Sequence, residues 1–141
     1  MDNIQKQKIN WERRPHKKWV NDIFLGYYKY TDGKSIKDSS KYWDIKHILP
    51  FLTYLEENNI KNINVECVYD YIEEQQKKIL SERTIYNRKI TLRLLLNWLH
   101  ENKMINFDGN SVFPKIQNVA GAKIKSYYSN NEIKQVIDSQ S

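Results

Sequence analysis

A chain of 141 residues with a formal net charge of +6 is one domain's worth of sequence, and its basic balance favours an acidic partner such as nucleic acid. Four glycines and three prolines exclude a collagen-like chain and, with abundant Lys, Asn, Ile and Tyr, argue for helices over disorder or a β-sandwich. The single cysteine, Cys67, excludes an internal disulfide, and no apolar run approaches a bilayer span or a signal-peptide core, so the expectation is a cytoplasmic protein with no membrane contact.

Residues 1–14 are polar and charged, with Ile4, Ile9 and Trp11 as scattered apolar positions, and read as a flexible tail. A first helix is expected from about Pro15, whose missing N–H would be unpaired at a first helical position anyway. Trp19, Val20, Ile23, Phe24 and Tyr27 recur at helical spacing as its apolar face, and Thr31, Asp32 and Gly33 end it. A polar loop with Lys34 and Lys37 leads to a second helix, from Ser39 or Ser40 to about Asn58. Tyr42, Ile45, Leu49, Leu52 and Leu55 are its inward positions. Pro50 removes one backbone hydrogen bond and should bend this helix, but the apolar period continues through it, so one bent helix is expected. Lys41 and Lys46 are the basic residues on its exposed side near the start. Asn64 caps a third helix with Val65, Val68, Tyr69 and Ile72 as its stripe. Its outer side, with Glu73 and Glu74, is acidic and poorly suited to DNA. Cys67 falls off the stripe and reads as an exposed or half-buried thiol.

The fourth helix, residues 81–103, carries the most information. Ser81 is a suitable N-cap, since its hydroxyl can accept from an unpaired N–H of the first turn. Ile85, Leu92, Leu96 and Leu99 share one face; Tyr86, Ile90 and Leu94 share another. A third sector holds Thr84, Asn87, Arg88 and Thr91, then turns apolar at Leu95 and Trp98. A helix polar only at its start is suited to pushing that start into a major groove, where Arg and Asn can pair with base edges and Thr can reach phosphate. The same sector reads equally well as the solvated end of a core helix. Beyond it, 104–107 should pack back on the bundle. Residues 108–126, with Gly109, Pro114 and Gly121, read as a linker. Ser129 and Glu132 form a capping box ahead of Ile133, Val136 and Ile137. That short amphipathic helix has nothing after it to pack upon, which is how a second domain would open.

No catalytic constellation is visible. His16, His47 and His100 lie in different expected helices without a second ligand at metal-binding spacing, so they read as surface or packing residues. Tyr127 and Tyr128 read as linker packing, not as nucleophiles. Nothing resembles a glycine-rich phosphate loop, and no cofactor, metal or small-molecule substrate is expected.

The run S-x-R-T-I-x-N-R-K from Ser81, with the leucines and N-W-L that follow, resembles the last helix of the core-binding (SAM-like) domain of tyrosine recombinases, the phage-integrase family. SSKYWDIKHILPFLTYL, from Ser39, is similar to that family's second helix, departing from it at Pro50. YSNNEIKQVI, from Tyr128, looks like the opening of the family's catalytic domain. The resemblance implies an all-α domain of four main helices in two helical hairpins over residues 15–108. Residues 109–141 would be a linker and the first helical stub of a catalytic domain lying beyond this sequence. It further implies one half of a C-shaped clamp on double-stranded DNA, with the starts of the second and fourth helices against the duplex and the first helix touching other recombinase protomers. By position this assigns Arg83, Thr84, Asn87, Arg88 and Thr91 to DNA, with Asn87 and Arg88 near base edges, and more loosely Ser40, Lys41 and Lys46. The intact enzyme would cut and rejoin DNA through a 3′-phosphotyrosyl link, for site-specific recombination and integration of a mobile element. This chain alone should be inactive. Two other classes fit the residues as well: a free-standing helical DNA-binding regulator and a helical protein-interaction domain.

Overall fold

The computed structural model describes residues 3–78 and 80–116. The later part of the expected linker and the capping-box helix at 129–137 lie outside the described residues. Among the described residues six helices form, in the order α1 (Asn3–Glu12), α2 (Lys18–Asp32), α3 (Asp38–Glu57), α4 (Val65–Lys77), α5 (Glu82–Glu101) and α6 (Gly109–Val112), and no strand. The protein is therefore all-α, as its periodicity indicates. The two longest helices organise it: α3 packs against α1, α2 and α5, and α5 against α3, α4 and α6.

The sequence explains most of these elements locally. Asn64 and Ser81 cap α4 and α5, accepting from the N–H of Cys67 at 2.8 Å and of Thr84 at 3.1 Å. Helix α2 starts at Lys18, not at Pro15, because the 13–17 segment turns a corner described below. Helix α3 runs unbroken through Pro50, whose neighbours Ile48, Phe51 and Leu52 are all fully buried. Packing thus offsets the lost backbone hydrogen bond, and Ile48 and Phe51 join the expected inward set. The core combines Val20, Phe24 and Tyr27 of α2 with Ile45, Leu52 and Leu55 of α3 and Leu92, Leu95, Leu96 and Leu99 of α5. Each fully buried aliphatic side chain there contributes on the order of 1.5–3 kcal/mol.

Three expectations are corrected. Residues 1–14 are not a tail over their described part: Asn3–Glu12 is helical, and Ile4 and Trp11 are buried in the core. These two residues lie seven apart, two turns along one face, and two anchors are too few to make a visible stripe. The start of the expected linker is also packed. Asp108 caps α6 by accepting from the Ser111 N–H at 2.8 Å, and Val112 and Phe113 join the core. Gly109 permits this, because a Cβ there would collide with the backbone carbonyl of Arg93. Finally, Cys67 is buried and Tyr69 half exposed, the reverse of the expected pair, so the inner face of α4 runs through Cys67, Val68, Tyr71 and Ile72.

Candidate nucleic-acid interface

The start of α3 and the first half of α5 border one groove of about 830 Å3. Ser39, Ser40, Trp43, Asp44 and His47 line it from α3; Arg83, Tyr86, Asn87, Ile90, Thr91 and Leu94 line it from α5; Lys34 and Ile36 come from the preceding loop. The two helix starts singled out in the sequence therefore meet on one surface. Both begin with an acidic residue, Asp38 and Glu82, which suits the positive end of each helix dipole but works against phosphate at those points.

The eight sequence-assigned residues divide sharply. Ser40 and Arg83 are exposed and Asn87 half-buried, all on the groove. Thr84 sits in the first turn of α5 with its hydroxyl 2.9 Å from that of Ser81, so it reinforces the cap. Lys46 is exposed beside the groove, its Nζ 4.6 Å from the centre of the Trp43 ring, a cation–π contact.

The other three are turned to structural work. Thr91 is buried, and its hydroxyl donates back to the carbonyls of Asn87 (3.1 Å) and Arg88 (3.3 Å). Arg88 donates from Nη1 to Gln75 Oε1, across to α4. Lys41 donates to the Asp32 carbonyl at 2.6 Å and is 13% exposed, bracing the α2–α3 connection. For these three the expected DNA contact competes with a hydrogen bond already made inside the domain. Arg88 and Lys41 donate to neighbouring elements, whereas the Thr91 hydroxyl is taken up by the backbone of its own helix while the residue still lines the groove.

The sequence reading missed the floor and rim of the groove. Asp44 is buried and accepts from the Tyr27 hydroxyl at 2.9 and 3.0 Å, with Lys34 Nζ 3.8 Å away. Burial holds its carboxyl above the usual carboxylate range, although Tyr27 and Lys34 pull it back. The Tyr27 phenol is raised by burial and then by the Asp44 charge. His47 is buried with neither ring nitrogen hydrogen-bonded and lies stacked against Trp43, centroids 5.1 Å apart. Burial, then Arg88 and Lys46, push its pKa down to about 4. Trp43, Ile36 and Leu94 form an exposed apolar rim. A signal for the α3 part was present: 40, 43, 44 and 47 share one helical face with Ser40.

Among the described residues no group of His, Cys, Asp or Glu could hold a metal ion, and no helix is long and apolar enough to cross a membrane. What the groove offers is an amide, hydroxyls and a guanidinium above a floor of buried polar groups. That set suits recognition by hydrogen bonding.

These features are those of a small helical recognition domain. Residues 39–103, spanning α3 to α5, match the family model for the phage integrase N-terminal SAM-like domain. Over those residues the chain is similar to the core-binding domain of tyrosine recombinases, a family that implies association with DNA. No curated protein and no solved structure matches the chain.

Proposed function

We propose that this domain clamps duplex DNA for a tyrosine-type site-specific recombinase, seating it against the groove between α3 and α5. The observation that carries the reading is the convergence of Ser40, Arg83 and Asn87, from two helix starts far apart in sequence, on one open surface. Asn87 is the base reader, since a carboxamide can pair with adenine N6 and N7 together, and Arg83 engages phosphate. Strand cleavage and rejoining belong to the intact recombinase, with its catalytic domain as the other half of the clamp and further protomers on the recombining sites. The role of this domain is affinity and sequence preference.

Titrating a labelled duplex at several salt concentrations tests this. Log K should fall steeply and linearly with log salt, because each neutralised phosphate releases counterions. A second reading, a protein-interaction domain, is favoured by the exposed rim of Ile36, Trp43 and Leu94, which would suit a partner helix. No binding at low salt, or a flat salt response, would select it.

A further inference from the structure

The most cationic segment of the domain is not in the groove. Between α1 and α2 the chain reads Arg13-Arg14-Pro15-His16-Lys17-Lys18, and all four of its Arg and Lys residues are exposed. The corner is held rigidly from beneath. The His16 side chain, 5% exposed, places Nδ1 2.9 Å from Glu56 Oε1 and Nε2 2.6 Å from the Trp11 carbonyl. Its ring lies flat on Trp11, centroids 3.6 Å apart and planes 2° from parallel. The Lys17 N–H donates to Glu56 Oε2 at 2.6 Å.

Local charges compensate Lys18 but leave Arg13, Arg14 and Lys17 without an acidic partner among the described residues. Glu56 is occupied by His16 and the Lys17 N–H, Glu12 faces Lys8 at 3.5 Å, and Asp22 faces Lys18 at 2.9 Å. Lys17 Nζ reaches only the neutral Asn59 amide, at 3.1 Å. Arg13 and Arg14 make no ion pair among the described residues. Helix α2 also opens here with a lysine at its N-cap, no side-chain cap and no acidic residue in its first turn. Cations at the positive end of a helix dipole are locally unfavourable, and an arriving anion would relieve the conflict.

The corner and the groove face different ways. At 3.6 residues per turn, Glu56 points about half a turn round α3 from Ser40 and His47, and lies about 18 Å along the axis from Asp44. One straight duplex seated in the groove would not meet both.

We infer that the Arg13–Lys18 corner is a second polyanion site that takes the phosphate backbone of a separate duplex segment, so that one domain can hold two stretches of DNA. This rests on the groove being a DNA interface. A fixed corner loses little freedom on binding, and paired guanidiniums match phosphate oxygens bidentately.

The test is two-duplex capture with the full chain. A short duplex is fixed to beads, the protein is added, and recovery of a second, fluorescent duplex is measured. The expected result is capture that falls about tenfold or more in Arg13→Ala/Arg14→Ala, while affinity for a single duplex changes by less than about threefold. Arg13→Lys/Arg14→Lys should restore part of the capture, and thermal melting should be unchanged in both variants. Undiminished capture in the alanine variant would overturn the inference, because bridging would then come from association between protein copies. Equal loss of single-duplex binding would also overturn it, by making the corner part of the groove's own interface. So would failure of the wild-type chain to capture a second duplex, whether or not it sediments with anionic phosphatidylserine vesicles. Failure to bind even the first duplex would instead strike the groove reading.

Discussion

The two halves of α5 are built from the same helical register yet do different work. From Leu92 onward the helix is mostly interior: Leu92, Leu95, Leu96 and Leu99 are buried, and Asn97 Oδ1 accepts from the N–H of Gly109 at 2.7 Å to hold α6 in place. Before Leu92 the helix is split lengthwise. Arg83, Asn87 and Ile90 border the groove, whereas the Arg88 guanidinium and the Thr91 hydroxyl, in one sector with Asn87 by spacing, are taken up by α4 and by the helix's own backbone. The difference teaches that a polar helical sector is not one surface. Each donor is available to a ligand only where no neighbouring element covers it.

The largest expected effect lies in the second half. Leu96→Ala should destabilise the fold by about 2–5 kcal/mol, through lost burial and the cavity left behind. Urea unfolding measures it. A cost below about 1 kcal/mol would mean that the C-terminal half of α5 is not the packed centre, and the contrast between the halves would collapse.

Much of this division was legible in the sequence, for identifiable reasons. Ile85, Leu92, Leu96 and Leu99 recur at helical spacing with Ser81 ahead of them, and cap and stripe agree with the structure. Helix α1 and the packing of 108–113 were not legible. Ile4 and Trp11 alone make no period, and Gly109 reads as loop punctuation until the Arg93 carbonyl is seen against it. For the groove, both helix starts were legible but not what lies between them. His47 and Asp44 are polar residues whose burial depends on contacts with Trp43 and Tyr27, which no periodicity predicts.

The groove floor should be visible in the pH dependence of stability. The unfolded His47 side chain titrates near 6.5, and the folded one near 4. Between these values the unfolded chain takes up a proton that the folded one refuses. This contribution is complete above about pH 6.5 and is lost as pH falls toward 4, on the order of 3 kcal/mol in all. Asp44 acts in the opposite sense at the acid end: its raised carboxyl keeps a proton in the folded state that the unfolded state has released. The urea midpoint should therefore fall between pH 7 and pH 5, and His47→Leu should flatten that fall. An unchanged slope in the variant would mean that His47 is solvated, and that the floor is open.

The finest test separates two neighbours in sequence. Asn87 borders the groove, while Arg88 donates to Gln75 and keeps Nε buried without a partner. Asn87→Ala should leave unfolding within about 0.5 kcal/mol of wild type, as surface changes usually do. It should weaken binding to the native site by roughly 1–3 kcal/mol and to random duplex by much less, since only the former has a base to read. Arg88→Ala should do the reverse. Stability drops by about 1–3 kcal/mol because Gln75, itself 2% exposed, is left with an unpaired carbonyl, while discrimination between the two duplexes barely moves. Urea unfolding and paired titrations on each variant give all four numbers. If Arg88→Ala instead erased site preference at unchanged stability, its guanidinium would have to leave Gln75 for the duplex. The line drawn here between covered and available donors would then shift by one residue.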